Sequence, residues 1–187
     1  MDSMSKTLFR VDVSETSRDR NYWATRQGVS PETAEAIRRA DLVIAPWENF
    51  REDNPALFPQ GTGDIFRVLK SDLPQSRVVI AVDKAYYHEI ALHAQEFRIP
   101  TIFLNAVLVA TLGQILGNRI DRWLPGSSLD TAIELEVIVE GDRGKCISVK
   151  YKGPKDKIVE TILTQTERCL PRVSGNEGSH NSPVSRP

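Results

Sequence analysis

Residues Leu42-Val43-Ile44-Ala45-Pro46 (LVIAP) form an unbroken apolar run between Asp41 and Trp47. A run this short, with no alternation, is the pattern of a β-strand covered on both faces. Before it, Ser30-Pro31-Glu32 offers a hydroxyl cap, a proline suited to the first helical position and an early acid. Together these predict a helix from there to about Ala40. After the run comes a loop (WENFREDNPALFPQG), then a predicted helix near Gly63–Ser71 with Ile65, Phe66 and Leu69 on one side. Arg77–Val82 (RVVIAV) reads as the next buried strand, Tyr86–Phe97 as the next helix and Thr101–Leu104 as a further strand; Leu8–Val13 (LFRVDV) reads as the first. Strands alternating with helices of about ten to fifteen residues argue for βαβ units and a parallel sheet.

The pattern changes at Thr131–Glu140 (TAIELEVIVE), which alternates cleanly. Ile133, Leu135, Val137 and Val139 fall on one face, and Glu134, Glu136 and Glu140 on the other. Cys146–Lys152 (CISVKYK) alternates too, so the pair predicts an antiparallel hairpin with one wet face. Charge sets the register. With Glu140 opposite Cys146, the apolar residues share a face while Glu136 meets Lys150 and Glu134 meets Lys152. A shift by one residue would mix the faces. Gly153-Pro154 is expected to start a last amphipathic helix, with Ile158, Val159, Ile162 and Leu163 as its apolar stripe.

The expected fold class is therefore α/β: a short, mostly parallel sheet flanked by helices, extended by a C-terminal antiparallel hairpin and a closing helix. Residues 1–170 are expected to form a single domain, since a chain of that length buries roughly two-thirds of its unfolded surface. Pro171–Pro187 (PRVSGNEGSHNSPVSRP) carries too little apolar surface to offset the entropy of ordering it, and is expected to be a disordered tail. The 187 residues include 24 basic and 25 acidic side chains, a formal charge of −1. No global field then favours nucleic acid or anionic lipid. Two cysteines, Cys146 and Cys169, are too few for a disulfide scaffold and fit a reducing compartment. The opening residues (MDSMSKTLFRVDV) lack the charged-then-apolar layout of a secretion signal, so a cytoplasmic location is expected.

Ile99–Asn118 (IPTIFLNAVLVATLGQILGN) is long enough for a bilayer and carries no charge. Pro100, Thr101, Asn105, Thr111, Gln114 and Asn118 interrupt it at regular intervals. The expectation is instead a buried strand followed by a buried helix to about Trp123, with Gly113 and Gly117 allowing close packing.

Several stretches invite a chemical reading. His88 and His93 are one residue too far apart for two metal ligands on a helix, since i,i+5 places them roughly 140° apart around the axis. Gly61-Thr62-Gly63-Asp64 precedes a predicted helix, where backbone amides favour a phosphate, but no lysine follows and Asp64 would repel an anion. A plain turn and cap is the simpler account. Arg18, Arg20, Tyr22, Trp23 and Arg26 interleave basic and aromatic groups as single-strand binders do, diluted by Glu15 and Asp19.

Candidate ligand-binding residues follow from topology. In a parallel sheet, Trp47, Glu48, Asp83, Lys84 and Asn105 fall on the edge formed by the carboxyl ends of the strands, where ligands of open α/β folds bind. Arg51, in the unusual Trp47–Asp53 loop, and Gly63 and Asp64, at the helix start, join them. Crowding of their carboxylates is expected to raise at least one pKa. No acid–base pair, metal set or nucleophile stands out, and the residues identify no catalytic group and no cofactor. The leading expectation is a non-catalytic binding or regulatory component acting with a protein partner. The alternative is an enzyme or sensor acting on a small nucleotide-like ligand at the strand-end edge. Nucleic-acid and membrane partners are not expected.

Overall fold

The computed structural model describes residues 9–48, 56–91, 96–123, 131–141 and 144–167. The expected tail, Arg51, His93 and Cys169 lie outside the described residues. Helix α2 (Pro31–Arg39) begins as the sequence predicts: Ser30 accepts the Thr33 N–H at 3.3 Å, and Pro31 occupies the first turn. It follows β1 (Arg10–Thr16) and a short α1 (Arg20–Ala24) capped by Asp19. All four residues of β2 (Leu42–Ala45) are buried, as their unbroken apolarity requires. Next come β3 (Leu57–Pro59), α3 (Thr62–Asp72), β4 (Val78–Ile80), β5 (His88–Ile90), β6 (Glu96–Arg98) and β7 (Thr101–Asn105). Helix α4 (Val109–Trp123), the hairpin strands β8 (Ala132–Glu140) and β9 (Cys146–Pro154), and α5 (Ile158–Thr166) complete the order.

Seven strands form one sheet in the order β1-β9-β8-β7-β2-β4, with β6 also against β8, while β3 and β5 pair separately. The α/β class holds, but the sheet is mixed rather than mostly parallel. β2/β4, β7/β8 and β6/β8 are parallel; β1/β9, β8/β9 and β2/β7 are antiparallel. The cause lies in Tyr86–Phe97. Among its described residues there is no helix: a 3₁₀ turn over Lys84–Tyr86 leads into β5, and β6 follows further along. A parallel return normally needs a long crossover, usually a helix. Without one, the chain enters β7 running opposite to β2. A one-residue bulge joins β6 and β7. Arg98 sits opposite Glu134 and Ile102 opposite Val137, so four steps on one strand face three on the other. Pro100 occupies that bulge, a position that tolerates its missing N–H.

The hairpin adopts the expected register throughout, with Glu140 opposite Cys146, Glu136 opposite Lys150 and Glu134 opposite Lys152. Its second face is wet only in part. Ile138, Cys146 and Ser148 are buried there, because α1 and α2 cover that end of the sheet with Trp23, Ala34 and Ile37. On the opposite face, Leu135, Val137, Val139, Val149 and Tyr151 pack with the apolar sides of α3, α4 and α5. Strand β9 runs through Gly153 to Pro154, so the closing helix starts at Ile158, later than expected.

Ile102, Leu104 and Leu112 are buried and Leu108 is half-buried, so Ile99–Asn118 is strand and helix packed into the core. Among the described residues no helix is long and apolar enough to cross a membrane. Of its two glycines, only Gly113 makes a close approach: a Cβ there would lie 3.0 Å from Leu163, against 3.7 Å from Val159 at Gly117.

Candidate functional site

The antiparallel course of β7 divides the predicted site. Trp47 and Glu48 follow the carboxyl end of β2, but Asn105 ends β7 at the opposite end of that strand. Its N–H donates to the Asp41 carbonyl at 3.2 Å, and its side chain caps the turn at Leu108. Asn105 therefore leaves the set. Asp83 and Lys84 do follow β4 beside the end of β2, because that pair is parallel. Even so, they line a different cavity from Trp47 and Glu48.

The first cavity, about 690 Å³, lies on the partly wet sheet face and is lined by Trp47, Glu48, Arg18, Glu134, Glu136, Lys150 and Lys152, among others. Its arginines and glutamates are bonded in pairs. Arg18 bonds Glu48 at 3.2 Å and Glu136 at 3.0 Å. Arg26 pairs with Glu48 at 3.2 Å, and the Tyr22 hydroxyl donates to the same carboxylate. Arg98 lies over the Trp47 ring at 4.7 Å and pairs with Glu134, while the Trp47 indole donates to the Ile99 carbonyl at 3.2 Å. Burial alone would raise the Glu136 pKa, but bonds from Arg18 and Ser148 hold it below the ordinary glutamate range. Crowding therefore lowers rather than raises the pKa of Glu136, because this acid has donors of its own. The same pairing absorbs the basic–aromatic patch: Trp23 is fully buried, and Arg20 bonds Glu140 at 2.8 Å.

At the start of α3 the apparent phosphate cradle is filled from within. Glu89, arriving on β5, accepts the Gly61 and Gly63 N–H groups at 2.8 Å each, together with the Tyr87 hydroxyl. Asp64 pairs with Arg67 at the surface. Glu89 was not legible as a cap, since it lies some 26 residues further along the chain.

The second cavity, about 660 Å³, is a groove along β4, the last strand of the sheet order. Its floor is Val78, Val79 and Ile80. Ser30, Thr33 and Ala36 of the α2 segment form one wall, with Glu32 at its rim; Phe66, Val82 and Tyr87 form the other, and Asp83 and Lys84 close one end. Asp83 accepts the Ser30 N–H at 3.1 Å and its hydroxyl at 3.0 Å. Bonds from Thr33 and then Ser30 hold the Asp83 carboxyl below the usual aspartate range, so this end of the groove carries an ionised carboxylate next to Lys84.

The two sides of the β4 backbone differ. Leu42 donates to the Arg77 carbonyl at 3.2 Å and Ala81 donates to the Ile44 carbonyl at 2.9 Å, so Arg77, Val79 and Ala81 turn their polar groups toward β2. Strand alternation then turns those of Val78 and Ile80 outward into the groove. No strand among the described residues pairs with that side. An edge strand with an apolar sequence and open polar backbone is a template for another strand.

Among the described residues no group of three or more His, Cys, Asp or Glu side chains is placed to hold a metal ion. Compared with protein-family models, with curated proteins and with solved structures, the chain finds no match.

Proposed function

We propose that the protein is a non-catalytic binding component that docks a protein partner along β4. The observation that carries this reading is the charge-free strand Val78–Ile80, whose outer backbone edge is paired by no strand among the described residues, lying in a groove between α2 and α3. An extended segment entering there would gain main-chain hydrogen bonds from Val78 and Ile80, and its alternate side chains would meet the two walls. Small residues on the α2 wall leave room for large side chains, and Phe66 and Tyr87 offer aromatic contact on the other.

The small-ligand reading has weaker support. The charged cavity presents an aromatic ring and both signs of charge, but its arginines are already bonded to its own carboxylates. A ligand would have to displace those bonds rather than complete them.

A photo-reactive side chain at Thr33, compared with one at exposed Val107 outside the groove, tests the docking reading in the living cell. Discrete protein adducts are expected from Thr33 alone, and Ala36→Arg, which fills the groove, should abolish them. Equal labelling at both sites, or none at Thr33, would sink the reading.

A further inference from the structure

We infer that the strand occupying the β4 groove is β4 of a second copy of this chain, paired antiparallel about a two-fold axis through Val79. The inference rests on the docking reading above and names its partner.

Alternation and charge both support it. Because Val78 and Ile80 carry the outward backbone groups, a two-fold pairing sets Val78 of one copy against Ile80 of the other and makes four main-chain bonds by symmetry. Val79 then meets Val79 across the axis on the α2 side. Each of these cross-strand contacts is apolar on apolar, with no buried charge left unpaired.

The ends complement each other. Arg77 immediately precedes the strand, and its side chain is 64% exposed with a loose contact of 3.6 Å to Asp41. In the paired arrangement it lies opposite Ala81 and diagonal to Asp83 of the other copy, within reach of a long side chain. Odd-numbered residues of β4 face α2: Val79 and Ala81 pack with Ile37, and Asp83 bonds the α2 cap residue Ser30. The arginine therefore arrives on the side that carries Glu32 and Asp83, and the symmetry makes this contact twice. The other edge of the sheet has no such match. Strand β1 exposes Arg10, Asp12 and Glu15, charges of the kind that guard an edge against pairing.

Sedimentation equilibrium of the full chain is the test. At about 100 µM the mass should be twice 21.0 kDa and should fall towards 21.0 kDa on dilution. Arg77→Glu, a surface change, should weaken association at least about tenfold at low salt, and the double variant Arg77→Glu, Glu32→Arg should restore it. Hydrogen exchange at the Val78 and Ile80 amides should slow with rising protein concentration. A mass of 21.0 kDa at every concentration, or a dimer indifferent to Arg77→Glu and with Val78 and Ile80 still exchanging freely, would overturn self-pairing. Adducts from Thr33 to a different protein, in a chain that stays monomeric, would overturn it while leaving the docking reading intact. No adduct at Thr33 would remove both.

Discussion

Arg18, between β1 and α1, reaches Glu136 on β8 and bonds it at 3.0 Å through one guanidinium nitrogen, while Ser148 donates to the same carboxylate at 2.6 Å. Both charged side chains are mostly covered, at 17% and 15% exposure, and Glu48 accepts from the same guanidinium nitrogen at 3.2 Å. Arg18→Met would leave two carboxylates facing each other with their shared cation gone. The expected loss is about 2–3 kcal/mol of unfolding free energy, read from urea midpoints. A loss below about 0.5 kcal/mol would show the network to be no more than a surface pair.

The same carboxylate sets a pH dependence. Glu136 holds its proton less tightly in the folded chain than in the unfolded one, so between the two pKa values the unfolded chain binds more protons. Stability from this group is complete above about pH 5 and is lost as pH falls through its lowered folded value. Urea midpoints measured from pH 7 downward should therefore fall less steeply in Glu136→Gln than in the unaltered chain. Identical acid limbs would contradict the assignment.

Glu89→Ala should uncap α3. It strips the Gly61 and Gly63 amides and the Tyr87 hydroxyl of their common acceptor, at an expected cost of about 1 kcal/mol. Phosphate added to the variant should recover part of the loss if the emptied amides form an anion site. Full stability without Glu89 would mean that water serves those amides equally well.

Two glycines should respond in opposite directions. Gly117→Ala, in the middle of α4 with no close neighbour, should stabilise by about 0.5–1 kcal/mol through helix propensity. At Gly153 a Cβ would lie 2.8 Å from Phe9 and 3.0 Å from the Tyr151 hydroxyl, so Gly153→Ala should destabilise by about 1 kcal/mol. Thermal melts of the two variants settle both signs.

Local chemistry was legible wherever a short stretch specified its own partner. Ser30 and Pro31 fix the start of α2 because the cap bond spans three residues. The hairpin register follows from alternation and opposite charges on two strands that are adjacent in sequence, and it is observed over the full length of β8 and β9. Apolar runs marked β2 and β7 as buried for the same local reason.

Strand direction was not legible, because a strand apolar on both faces reads the same whichever way its neighbour runs. β2 takes β4 in parallel and β7 antiparallel, a choice made by the crossing of Lys84–Arg98 and not by any residue of β2 itself. That crossing carries a helical apolar spacing, yet its β5 and β6 take their backbone partners from β3 and β8, far away in sequence. The site followed the same division. Sequence placed Trp47, Glu48, Asp83 and Lys84 at strand ends. Only tertiary structure sent Asn105 to the other end of β2, gave Glu48 and Glu136 a common arginine, and left the outer edge of β4 without a strand partner among the described residues. Residue type sets what a side chain or amide can bond, whereas the partner it meets depends on contacts the chain makes only once folded.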